Sequence, residues 1–267
     1  MKAKLFFTFS LLLGLLLSNA QSPAFTHFKE IDQNARFVKI DLLGNCYISD
    51  ASVLYKYDRQ FNQQYAFSDF SIGSIHSVDV TNPMKILLFS KDFMRLTFLN
   101  NTLANQNKPY LLTDLNIMQA ACICSSYDNG FWVFDEVTDA LIRFDANARK
   151  VSESKTINQI VGCKLQPLQM QEMGNKYLLI CDTINGLIVF DLYGTYLKTI
   201  PIKDIKSFSI WKDQVVFVKD NNLTILNMDN IQTLTMALPQ PGVKDAVLYD
   251  KYLILLNAKG KISVYTH

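Results

Sequence analysis

Residues 176–199, KYLLICDTINGLIVFDLYGTYLKT, show the pattern on which the chain is built. Two apolar runs, 177–181 and 187–190, flank a polar stretch that ends in Asn185 and Gly186, and a third run, 196–200, follows a turn centred on Gly194. An Asn-Gly pair tolerates the positive φ of a tight hairpin, so short antiparallel strands are predicted here. Variants recur along the chain. The polar residue that ends the second run of each hairpin is Asp58, Asn100, Asp145, Asp191, Asn227 and Thr266, at intervals of 42, 45, 46, 36 and 39 residues.

Each hairpin begins with a run that is apolar nearly throughout: 46–49, 86–89, 131–134, 177–181, 215–218 and 252–256. Strands that are buried on both faces lose the alternation of a half-exposed sheet. Inner strands are predicted upstream at 36–41, 75–80, 118–125, 165–171, 207–211 and 246–249, and outer ones at 64–67, 110–112, 151–157, 196–200 and 232–237. Six units of about 40 residues fit four-stranded blades, so an all-β, six-bladed β-propeller is the predicted fold. The sixth unit lacks an outer strand, and residues 24–31 supply a spare one. The amino-terminal strand is therefore expected to close the last blade beside 261–265, leaving no blade incomplete.

The first twenty residues read as an export signal: Lys2 and Lys4, an apolar run over 5–17, and the small residues Ser18, Asn19 and Ala20 at a cleavage position. A single propeller domain over 21–267 is expected after cleavage, with no transmembrane segment in the mature chain. Removal of Lys2 and Lys4 from the 26 basic residues leaves 24, equal to the 24 acidic ones. A neutral chain without a basic stripe argues against nucleic acid as a partner. Five cysteines are few for this length, and buried apolar roles with at most one bridge are expected.

Chemistry is sparse. The three histidines, His27, His76 and His267, show no metal spacing, and neither a metal nor a cofactor is expected. No GxSxG, Walker or GxGxxG motif occurs, so no catalytic residue is assigned. Asp50, Lys91, Asp92, Asp135, Glu136, Asp182 and Asp220 recur beside the hairpin turns and are the candidate binding residues of a rim, although turn formation also explains the carboxylates. His76, on an inner strand, is the candidate channel residue. Trp132 and Trp211 fall in strand-like runs and are expected in the core.

The segments YLLICDTINGLIVFD and FWVFDEVTDALIRFD resemble six-bladed propellers of the NHL type. VDVTNPMKILLFSKDFMRLTFLN is similar to small exported propellers of Gram-negative envelopes, some associated with type IX secretion. The expectation is a non-enzymatic interaction scaffold, exported to the periplasm or outer membrane. Its partner is expected to be an envelope protein or protein complex, with this chain as the accessory of an outer-membrane secretion complex. Alternatives are a glycan-binding module and a lyase or hydrolase working in the channel around His76.

Overall fold

The computed structural model describes residues 25–266. The proposed leader, residues 1–20, lies outside them, as does His267. Six four-stranded antiparallel sheets stand around a central channel as a six-bladed β-propeller. The inner strands of blades one to six are Phe37–Ile40, Ser77–Asp79, Ala120–Ser125, Pro167–Met173, Ser209–Trp211 and Val243–Tyr249.

Closure follows the expected route. Thr26–Ile31 forms the outer strand of blade six, antiparallel to Ile262–Thr266, with Thr26 opposite Thr266 and Ile31 opposite Ile262. Ile31 joins the core between blades six and one, and Phe28 packs on Phe61 and Tyr252. The Lys29 ammonium donates to the Phe61 carbonyl at 2.7 Å, tying this strand to blade one as well.

Six hydrophobic cores fill the six gaps between blades. In Ile86–Ser90 of blade two, Leu87 and Phe89 face blade three while Ile86 and Leu88 face blade one. Both faces are thus buried, which is why the run does not alternate; each such side chain contributes about 1.5–3 kcal/mol. The repeated Asp or Asn has an equally local cause. The Oδ1 atoms of Asp58, Asn100, Asp145 and Asp191 each accept backbone N–H groups from two and four positions on, at 2.8–2.9 Å. The residue three positions on is left-handed, with φ of 59° at Phe61, 61° at Leu103, 59° at Ala148 and 84° at Gly194. The side-chain oxygen substitutes for a backbone acceptor and fixes the turn.

Several details differ from the sequence reading. The hairpin loop at 183–185 is closed by Asp182, which accepts the Ile184 and Asn185 N–H groups, and Gly186 opens the strand Gly186–Phe190. Gly186 has φ of 99°, and a Cβ there would lie 2.3 Å from the Ile200 carbonyl oxygen. The outer strand expected at 151–157 is Lys150–Glu153, and one helical turn, Ile157–Val161, follows it. Trp132 is buried as expected, whereas Trp211 is half-buried with the Lys212 ammonium 4.4 Å from its ring centroid. All five cysteines are free, and Cys122 and Cys124 share the core between blades three and four. Among the described residues no helix is long and apolar enough to cross a membrane.

Candidate functional site: the hairpin-loop face and the channel mouth

The loops joining second to third strands share one face of the ring with the segments that lead from blade to blade. Backbone hydrogen bonds knit the two sets together: Glu136 N–H donates to Gln119 O, Asp204 N–H to Thr183 O, and Ile75 N–H to Ala51 O. All seven candidate rim residues lie in these loops or at their edges, on this face. They divide by what their side chains do. Asp50 and Asp182 each accept two backbone N–H groups of their own turn, and Asp135 accepts Val137 N–H at 3.0 Å and the Thr138 hydroxyl at 2.7 Å. Asp135 and Asp182 are buried, so those two carboxylates hold loops and do not face solvent. Lys91 and Glu136 pair across blades two and three at 3.3 Å, while Asp92 and Asp220 are exposed.

The inner strands enclose a channel of about 890 Å³, within the range of ligand-sized cavities. Its lining is polarised along the axis. Where the inner strands begin, at the hairpin-loop face, stand Arg36, Lys206 and Lys244, with Asp245 the one carboxylate of the lining at that end and Lys39 further along the first inner strand. Where they finish stand Asp41, Asp79, Glu172, Asp213 and Asp250, with Lys212. Three of these carboxylates are tied into the blades: Asp41 accepts the Tyr47 hydroxyl, Asp79 the Ser125 N–H, and Glu172 the Trp132 indole N–H.

Burial pushes the Asp245 carboxyl above its ordinary value, opposed by the charge of Lys39 and by hydrogen bonds from Ser207 and its neighbour's backbone. His76 stands at the mouth, edge-on to Phe89 with centroids 5.7 Å apart. Burial holds its pKa below the ordinary imidazole value, and the charges of Lys91 and Arg36 push the same way against Asp92 and Glu136. A two-dimensional NMR titration will place the His76 midpoint below 6.5, and Lys91→Met will raise it. A midpoint at or above 6.5 contradicts the placement. By linkage, the folded state binds fewer protons here than the unfolded one, so His76 makes stability rise with pH up to about 6.5.

Sequence reasoning missed an apolar arc on this face. Phe70, Met118 and Leu168 in or beside the blade-to-blade segments, and Phe93, Val137 and Ile184 at hairpin tips, are all exposed, Phe70 at 97%. They span blades two to four. A signal was present: an apolar residue sits inside each polar turn of KDFM, EVTD and TING. The opposite face also exposes apolar side chains, among them Leu42, Met84 and Tyr193, around a mouth lined mainly by carboxylates. Among the described residues no cluster of His, Cys, Asp and Glu forms a metal site.

No family model matches the chain, and no curated protein does. Solved structures match it at the level of fold. Virginiamycin B lyase from Staphylococcus aureus, solved with quinupristin, superposes over 86% of this chain and 79% of its own at 12% identity and a TM-score of 0.60. BBS1N in complex with ARL6DN covers 87% and 77% at 11% identity and 0.57. BamB from Moraxella catarrhalis covers 91% and 100% at 11% identity and 0.55. These identities show the propeller architecture and transfer no reaction. They do correct one expectation, that of a protein without enzymatic activity: lyases stand among the structures sharing this ring, so the fold is no argument against catalysis. The channel agrees with that correction, since ionisable side chains line it where apolar and hydroxyl groups alone would have ruled chemistry out.

Proposed function

We propose that this chain is an exported propeller that docks, by its hairpin-loop face, onto a protein of the cell envelope, as an accessory of an outer-membrane secretion assembly. The observation that carries the reading is the exposed apolar arc from Phe70 to Ile184 beside the channel mouth. Large apolar side chains grouped on one face of a soluble ring mark contact surfaces. The leader pattern of residues 2–20 and the resemblance of residues 78–100 to exported envelope propellers support the envelope as the compartment. BBS1N, with its ARL6DN partner, provides an example of a protein of this fold in a protein complex.

Affinity purification of the tagged protein from its native envelope, followed by mass spectrometry, tests the proposal. Stoichiometric recovery of an envelope protein is expected. Phe70→Ser with Val137→Ser should abolish it, and Leu42→Ser with Tyr193→Ser on the opposite face should leave it intact. Recovery of the ring alone under gentle extraction, or loss with the opposite-face pair only, overturns the reading. The exposed aromatics Phe70 and Phe93 also meet the condition for glycan stacking, and retention on envelope polysaccharide in place of protein would favour that alternative.

A further inference from the structure

We infer that the channel mouth receives a carboxylate of the docking partner: an acidic side chain or chain end set among Arg36, Lys206 and Lys244, with its apolar neighbours lying on the arc between Leu168 and Phe70. The inference rests on the docking reading and adds the chemistry of the partner.

Convergence on one concave lining distinguishes the mouth cations from those of the rim. Some rim cations have partners, Lys91 pairing with Glu136, Lys261 with Asp32 and the Arg95 guanidinium donating to Ser71, while among the described residues Lys164, Lys203 and Lys259 stand singly in the outer loops, away from the channel lining. Among the described residues the Arg36 and Lys206 side chains have no ion pair or hydrogen bond, and Lys244 donates to the uncharged Arg36 carbonyl at 2.9 Å. These cations come from blades one, five and six, which are consecutive in the closed ring, and line the same channel as Leu168 of blade four. Lys39 lies deeper along the strand, and its charge, with a smaller contribution from Lys244, acts on buried Asp245. Unpaired cations around a concave mouth focus a positive potential outward and attract an anion.

The polarity of the channel fixes how far such a group travels. Beyond the mouth it meets Asp245 and then the carboxylates of Asp79 and Glu172, which repel it. The anion therefore stops at the mouth. The occupant that satisfies both the cations and the adjoining arc is a protein segment bearing Asp or Glu beside Leu or Phe. A small free carboxylate would leave the arc uncovered.

Fluorescence anisotropy with a labelled peptide of alternating Leu, Phe and Glu, against a twin carrying Gln for Glu, tests this on the intact protein. The acidic peptide should bind about tenfold tighter at low salt, with the difference shrinking as salt screens the charges. Lys206→Glu should remove most of that difference, and its side chain is exposed, so the melting curve should not move. Equal binding of the two peptides, no binding of the acidic one at millimolar concentration, or an unchanged Lys206→Glu protein overturns the inference. Co-purification separates the two readings. A Lys206→Glu ring that still recovers its full complement of envelope protein sinks the carboxylate site and leaves docking standing. A wild-type ring that recovers nothing, yet discriminates the peptides, sinks docking and assigns the site to a free carboxylate ligand.

Discussion

Deleting residues 25–31 will lower the melting temperature by at least about 10 °C, or leave a chain that does not accumulate in soluble form. The segment contributes the outer strand of blade six, its backbone pairing from Thr26 to Ile31, and the buried Ile31 side chain. Removing it strips the edge of Ile262–Thr266 and opens the core that Ile262 and Val264 share with blade one. Exposed strand edges of this kind invite pairing between chains, so aggregation should accompany the loss of stability. For a protein of this size each kcal/mol corresponds to about 2–4 °C, so the expected shift reports a loss of about 3 kcal/mol or more. Calorimetry of the shortened chain decides it, and an unchanged melting curve would refute closure by this strand.

Trp132→Ala is expected to cost about 3–5 kcal/mol, the range for removing a large aromatic from a packed core. Trp132 fills the gap between blades three and four, and its indole N–H donates to Glu172 Oε1 at 2.6 Å. Tyr127 N–H donates to the other Glu172 oxygen at 2.7 Å. Trp132→Phe keeps much of the volume and removes the donor, so it should cost less, about 1–3 kcal/mol. Denaturant melts of the two variants separate packing from hydrogen bonding, and equal costs would deny the bond its role. The pair also changes the response to pH. Burial holds the Glu172 carboxyl above its ordinary value against the hydrogen bonds from Trp132, Ser126 and Tyr127. The folded chain thus keeps a proton that the unfolded chain has released, and this group's contribution to stability falls as pH rises from about 4.5 through its folded pKa. Loss of the indole donor raises that pKa further and moves the fall to higher pH.

The blades were legible because their causes are local. Runs such as ILLFS at Ile86–Ser90 are apolar on both faces since each face meets a neighbouring blade, and the recurring Asp or Asn is the acceptor that shapes the next turn. Inner strands were harder to bound. Ser77–Asp79 is three residues long and one of its edges faces a channel instead of a strand, so little pattern is required of it. The rim carboxylates were found by the same regularity that makes some of them structural: Asp182 recurs because the turn needs it. The mouth was illegible for the opposite reason. Arg36 and Lys244 stand more than 200 positions apart in sequence, and only closure of the ring makes them neighbours. The arc fell between these cases, visible as Phe93, Val137 and Ile184 inside turns where polar residues are the rule.

The pairing of Thr26 with Thr266 also sets a timetable. Of the described strands, ribosomes make the outer strand of blade six first and the strand it must clasp last, 240 residues later. Until then blade six has no edge to offer, and the early segment waits unclasped while five other blades emerge. Long-range pairings of this kind form slowly. A propeller that shuts in this order stays an open arc until residues 262–266 have been made, so its last blade cannot act as a folding nucleus for the others.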